Sequence, residues 1–491
     1  MTAFPTPTID WAALSPELVL LGGAAICLVV PLFLPTGWRR PFSAFVAAGC
    51  FIGAGVAAGI LFHHDETATG VVNDAIQRDR LAEFAQVLIV GSGLLTVGVS
   101  YAYVLRGRTG EYYTLLLTAA AGMCFFVAAS NLMTMFLGLE WFSIALYVLC
   151  AIAVEQVASL EAGLKYLIVG SFGSAILLLG SAFVYGATGS IQFQGIAAAG
   201  GNADRSFLVT GLAMLIVGLG FKASAAPFHM WTPDVYQGAP TPVTAFMSAA
   251  TKVAALVLTM RLLTTAFPHD EDLWTIALAV IVCISLAWGN LGALVQTDIK
   301  RMLGYSSVSH AGFLLMPVAV GSPLGGRALL YYLVAYSAMS IGSFAVVAAR
   351  ERELAAPVTY EGMAGLGWER PGLGAAMTLF MFGFIGLPPA GLFIGKFYAF
   401  SAAVDRGWAW LAVVGAIATA VSIYYYLGVV RAMYFQPARM RVAPAGGSPP
   451  RDAALSTSVL LAVVVTIGSF IAAQPLLDLA RDAVSVLHFP H

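Results

Sequence analysis

The chain has five lysines, and four of them, Lys165, Lys222, Lys252 and Lys396, fall inside apolar runs long enough to cross a bilayer. An ammonium at the centre of a membrane helix costs about 2.5–3.5 kcal/mol on insertion scales, so cations at these depths call for a reason. The connections between the runs are basic through arginine, with Lys300 read as the one loop lysine. Arginine keeps its proton in proteins, whereas a desolvated lysine can exchange one in the working range of pH. That sorting of residue types points to amines that gain and lose protons inside a membrane.

Other residues could serve the same chemistry. Glu140, in FLGLEWFSIAL, sits near the middle of an apolar run. A lone buried carboxylate needs a partner or a proton, and Glu140 is read as the group that favours a protonated Lys222; the rival reading is a static ion pair that fixes helix packing. His310, in GYSSVSHAGFLL, has Ser306, Ser307 and Ser309 to hold water beside it, and is either a relay or a satisfied core residue. His229 and Asp234 follow a break at Pro227, near the inner surface, and either gather protons or cap and turn the chain. Lys165 lies only a few residues into its run, where its stem can snorkel to the interface. Tyr424, Tyr425 and Tyr426 are read as packing aromatics. Cys27, Cys50, Cys124, Cys150 and Cys283 lie in apolar runs without paired spacing, so they are read as small hydrophobes. No phosphate loop, metal-ligand cluster or nucleophile–base pair is evident, and neither a cofactor nor redox catalysis is expected in this chain itself.

The elements that must position these groups are membrane helices. The 491 residues are 59% hydrophobic and 10% charged, with a mean hydropathy of +0.86. Soluble domains average about 25% charged residues, so this chain is polytopic and all-α. The net charge of −1 gives no sign of a nucleic-acid partner. Spans need about 20 apolar residues. Fourteen are read, at 15–34, 42–62, 82–105, 112–129, 131–154, 163–186, 206–226, 242–266, 273–296, 301–320, 327–349, 372–403, 407–434 and 453–479. Ser130-Asn131 offers the turn that divides the long run from Tyr112 to Val154. Basic residues favour both termini outside, with Arg106, Arg439, Arg441 and Arg451 among those inside and Arg261 among those at outer ends.

The twelfth run is about 48 Å long as continuous helix, against a hydrocarbon core of about 30 Å. Gly386-Leu387-Pro388-Pro389 interrupts it, and Lys396 follows. The seventh run also combines a lysine, Lys222, with a proline break at Pro227. The two runs are an odd number of spans apart and cross in opposite directions, the pointer to an inverted-repeat transporter. The expected organisation is three N-terminal helices (1–110), a first repeat of helices four to eight (111–266), a second, inverted repeat of helices nine to thirteen (267–436), and a loop with a last helix (437–491).

Three stretches carry a resemblance: KASAAPFHMWTPDVYQGAPTPVTAF at Lys222–Phe246, YSSVSHAGFLL at Tyr305–Leu315 and GLPPAGLFIGKF at Gly386–Phe397. They resemble the antiporter-like subunits of respiratory complex I, the subunit N type above all. The resemblance implies fourteen helices, two inverted five-helix repeats, and broken helices seven and twelve. It implies proton-translocating roles for Glu140, Lys165, Lys222, Lys252, His310 and Lys396. It also implies FMN, iron–sulfur clusters and quinone in other subunits, an antiporter-like M subunit and small K, J and A-type subunits as neighbours, and a bacterial-type inner membrane. A subunit of a multi-subunit Na⁺/H⁺ antiporter shares the fold and the lysines, and a structural spacer is the third reading. The long lateral helix of subunit L has no counterpart here.

Overall fold

The computed structural model describes residues 9–64, 69–72, 74–103, 107–437, 452–487 and 489. Arg106, Arg439, Arg441 and Arg451 of the orientation count lie outside the described residues. Long apolar runs closed by hydrogen-bonding caps give the helices α1 (Ser15–Phe33), α2 (Thr36–His64), α3 (Arg80–Ser100), α4 (Thr109–Val127), α5 (Leu132–Cys150), α6 (Val157–Thr188) and α7 (Arg205–Lys222). After a break come α8 (Trp231–Gly238), α9 (Thr241–Ala266), α10 (Pro268–Leu294), α11 (Ile299–Val320) and α12 (Pro323–Leu354). The chain continues as α13 (Pro371–Ile385), α14 (Leu392–Asp405), α15 (Ala409–Phe435), α16 (Ala453–Ile471) and α17 (Ala473–Val484).

Thirteen of these helices are long and apolar enough to cross a membrane: α1–α7, α9–α12, α15 and α16. The expected twelfth span is divided into α13 and α14, of 15 and 14 residues. At 1.5 Å per residue each half covers only about 22 Å, so neither bridges the hydrocarbon alone. The Ser130-Asn131 turn falls where expected, and the Asn131 side chain accepts from Thr134 N at 2.7 Å to cap α5. Asp79, Asp204, Asp298 and Ser322 cap α3, α7, α11 and α12 in the same way.

Burial is graded across the bundle. In the most apolar stretch of each helix, all residues of α9, 94% of α11 and 89% of α12 are buried, against 33% in α2, α15 and α16. The helices that carry Lys252 and His310 therefore form the centre, and α2, α15 and α16 present apolar faces outward. A two-stranded antiparallel hairpin, Thr69–Val71 with Ile76–Arg78 in the register Val71↔Ile76, closes one end of α3.

Three expectations are corrected. The last span stops at Ile471 rather than 479, and α17 follows as an amphipathic helix with Leu477, Ala480 and Ala483 buried and Gln474 and Arg481 exposed. Lys300 is not in a loop: it is the second residue of α11, is buried, and donates to Ala239 O at 2.7 Å. Arg261 is not at an exposed helix end; it lies buried within α9, donating to both Asp79 carboxylate oxygens at 2.5 and 2.6 Å. The intramembrane cations are thus not all lysines.

Candidate functional site

Both helix breaks are built around a lysine amine. The last four carbonyls of any helix lack intrahelical donors and carry the negative end of its dipole. At the first break α7 stops at Lys222, Ser224 takes a positive φ of 62°, and the chain turns into α8. Lys252, from α9, donates to the freed Ala223 carbonyl at 2.9 Å. It follows directly on a π-helical segment, Met247–Thr251, a one-turn widening of the helix that recurs at functional sites. At the second break α13 stops at Ile385, and Lys396, from α14, donates to Phe384 O at 2.9 Å and Ile385 O at 3.0 Å. Its amine is also 3.4 Å from Thr419 Oγ1 and 4.4 Å from the centre of the Phe313 ring. Gly386 is required here twice over: its φ is 94°, and a Cβ would lie 3.0 Å from Lys396 Cδ. Pro227, Pro388 and Pro389 all fall in the two turns, as expected.

Lys222 is held differently. Its amine is buried without a hydrogen-bond partner among the described residues, inside a cage of Tyr166 at 5.1 Å and Phe142, Tyr147 and Phe221 at 5.5 Å. Glu140, on α5, is the carboxylate whose charge acts on it, yet no ion pair within 4.0 Å joins the two. Glu140 Oε1, Tyr147 Oη, Tyr166 Oη, Ser224 Oγ, Thr232 Oγ1, Tyr236 Oη and His229 Nδ1 are likewise buried and unpartnered. Nearly all buried polar atoms in proteins are satisfied by protein or by water. Their concentration around Lys222 and the first break marks a place suited to water.

His310 occupies the centre of α11. Its Nδ1 pairs with Tyr332 Oη at 2.8 Å and its Nε2 with Tyr426 Oη at 3.1 Å, and Tyr426 also bonds Ser306. Of the serines beside it, Ser307 accepts from Tyr336 at 3.2 Å and Ser309 from Asn290 at 2.9 Å. Ser340 donates to Ser248 at 2.7 Å, which carries hydroxyls on to the π segment before Lys252. Toward Lys396 the surroundings are aromatic, with Phe384 at 5.1 Å and Phe313 at 5.9 Å from the imidazole.

Lys165 does not join the buried set. It is 43% exposed, paired with Glu161 at 2.7 Å and Asp234 at 2.9 Å, and Asp234 also binds Arg301 at 2.5 Å. Partial burial acts to raise the Asp234 pKa, but Lys165 and Arg301 outweigh it and hold the carboxyl below the usual range. His229, by contrast, is buried against Trp288 and Tyr305. Sequence reasoning missed the tyrosines: Tyr332, Tyr336 and Tyr426 all bond the polar groups of α11, whereas Tyr424 points outward at 74% exposure.

Amines seated on the ends of two broken helices, within a bundle of membrane helices, define an antiporter-like transport protein. The sequence profile described as "NADH:quinone oxidoreductase/Mrp antiporter, TM" matches residues 129–422. An NADH-quinone oxidoreductase subunit N from Trichlorobacter lovleyi is 41% identical over 435 residues, 88% of this chain and 88% of its own length. A chain in a structure of respiratory complex I from Thermus thermophilus with bound aureothin is 32% identical, covers 95% of this chain and 99% of its own, and superposes with a TM-score of 0.79. A chain of the Mrp complex from Dietzia sp. superposes at 0.84 but is 21% identical, a likeness of fold alone. The protein belongs to the subunit N family of NADH-quinone oxidoreductases, within the wider antiporter-like family.

Proposed function

We propose that this chain is a proton-translocating membrane subunit of an NADH:quinone oxidoreductase and that its buried lysines carry the protons. Protons enter from the inside near the first break and reach Lys222, with His229 and Asp234 at the uptake side. They pass to Lys252 and His310, and leave outward from Lys396. Glu140 sets how firmly Lys222 holds its proton. Lys165, paired at the surface, orders Asp234 and Arg301 at the mouth of the route. Residues 111–266 and 267–436 act as the two inverted half-channels, beside an M-type subunit and K, J and A-type subunits in a bacterial inner membrane, with both termini outside. FMN, iron–sulfur clusters and quinone belong to other subunits of the complex.

The observation that carries this reading is that Lys252 and Lys396 are held by backbone carbonyls rather than by carboxylates. Moving one charge across 100 mV costs about 2.3 kcal/mol. A tenfold change in an amine's proton affinity is about 1.4 kcal/mol, so modest rearrangement of such partners is on the scale needed. The test is the proton-to-electron ratio of the complex in sealed vesicles, wild type against Lys396→Ala. The ratio falls if the amine carries protons. A complex that assembles poorly but pumps at the full ratio instead identifies a structural spacer.

A further inference from the structure

Between α12, α13 and α16 lies a groove of about 710 Å³. Its floor is apolar, with Ala376, Leu455 and Val459 buried, and its rim carries Leu460 at 61% exposure. One end is charged. Arg352 and Glu353 come from the last turn of α12, Arg370 precedes α13, and Asp452 caps α16. The acids at this mouth are engaged. Glu353 accepts from Arg370 Nε at 2.9 Å on one oxygen and from Arg350 Nη1 at 3.1 Å on the other, and Glu369 accepts from Arg350 at 2.9 Å. Asp452 accepts from two N–H groups of α16 on Oδ1 and from Arg352 Nη1 at 2.9 Å on Oδ2. The arginines have donors to spare. The Arg352 and Arg370 guanidinium groups each make one of these bonds among the described residues, and both side chains are 27% exposed.

We propose that this groove holds an anionic phospholipid, with its phosphate on Arg352 and Arg370 and an acyl chain laid along α16. The length fits. From Leu455 to Ile467 the lining of α16 rises 12 residues, about 18 Å, close to the roughly 15 Å that one leaflet contributes to the hydrocarbon core. The width excludes a helix. Spread over that length, 710 Å³ gives a cross-section of about 40 Å², whereas a helix about 10 Å across needs about 80 Å². Extended hydrocarbon chains fit such a channel. The mouth selects the headgroup, because guanidinium groups match phosphate oxygens in charge and in geometry. An ethanolamine ammonium would meet carboxylates that already serve arginines and a helix cap, so the headgroup is anionic rather than zwitterionic. The site lies at the start of α13, at the opposite end of that helix from the carbonyls that seat Lys396, and it does not depend on the proton route.

The experiment labels the whole assembled complex with a phosphatidylglycerol that carries a photoreactive diazirine on one acyl chain, and maps the labelled peptides. Label on α16 between Leu455 and Ile467 that unlabelled phosphatidylglycerol displaces, and phosphatidylethanolamine does not, supports the site. Arg352→Gln should weaken this labelling about tenfold, the loss of one charge-assisted hydrogen bond. Ala375→Trp sets a ring into the groove from an exposed position and leaves every charge in place. It should abolish the labelling, and it guards against loss of assembly in the first variant. Label displaced equally by both lipids is the ordinary lipid shell and overturns the proposal, as does label unchanged in either variant that assembles. No label on this face means that another subunit covers it in the complex, which equally overturns the site.

Discussion

Replacing Lys222 with methionine separates chemistry from architecture. The Lys222 amine donates no hydrogen bond to the described residues, so its removal strands no carbonyl. What it loses is attraction to four aromatic rings at 5.1–5.5 Å and to the more distant Glu140 carboxylate, which can take up a proton once the amine is gone. Cation–π contacts range from about 0.5 kcal/mol when exposed to about 2 kcal/mol when desolvated, and four that share one cation do not add, so the loss is about 2–4 kcal/mol. Against it stands the several kcal/mol it costs to keep an ammonium out of water. Methionine is of similar length, and its sulfur regains about 0.3–1.5 kcal/mol per aromatic contact. Lys222→Met should therefore change stability by no more than about 1–2 kcal/mol, in either direction, while breaking the route at its first amine. The assay pairs thermal unfolding of the purified complex with proton uptake per NADH oxidised in vesicles. An unchanged proton-to-electron ratio refutes the role of Lys222, and a large loss of stability refutes the reading of its surroundings.

The other predictions test neighbouring parts of the same picture. Arg261→Ala leaves Asp79 without its cation and should cost about 3–5 kcal/mol, measured as lost assembly, whereas Arg261→Leu with Asp79→Asn, which removes both charges and keeps the α3 cap, should recover much of it. Neither change should alter the proton-to-electron ratio of complex that does assemble. Tyr426→Phe opens no cavity but strands the buried His310 Nε2 and Ser306 hydroxyl, so stability should fall by about 1–3 kcal/mol and turnover coupled to pumping should slow in the complex that assembles. Asp234 has a carboxyl pKa lowered from its unfolded value of about 3.9. Its stabilising contribution is therefore present above that value and lost as pH falls through the lower folded one. Thermal scans of wild type and Asp234→Asn should differ at neutral pH and converge below about pH 4; a difference that persists in acid contradicts the ion-pair assignment.

Much of the fold was legible because lipid leaves so few options. An apolar run must close its own hydrogen bonds as helix, and the breaks fall at Pro227 and at Gly386-Leu387-Pro388-Pro389, whereas a lone proline such as Pro31 or Pro317 stays within its helix. The positions of Lys222, Lys252, Lys396 and His310 follow from their places in those runs. Partners were not legible, since they come from distant chain segments. Arg261 meets Asp79 across 182 residues and Lys300 meets Ala239 across 61. Facing was not legible in Tyr424-Tyr425-Tyr426 either, because consecutive helical residues point about 100° apart and the three are alike in type. The end of α16 was the avoidable error. Leu477, Ala480 and Ala483 recur at helical spacing opposite Gln474, Asp478 and Arg481, the pattern of an interfacial helix rather than the tail of a span.

The contrast between Arg261 and the lysines explains how one membrane interior can hold both fixed and exchangeable charge. Arg261 is clasped by both oxygens of a full carboxylate, and its guanidinium does not deprotonate in any case. Lys252 and Lys396 rest on helix ends, where the partial charge of the dipole amounts to about half an elementary charge. Such a partner stabilises an ammonium without binding it irrevocably, and it still accepts a weaker bond from the N–H of the neutral amine. A helix broken mid-membrane is otherwise a liability, since its freed carbonyls have no water to meet them. Seating a lysine on each broken end gives the freed carbonyls a donor, and under the proposed function the same seat holds a mobile proton.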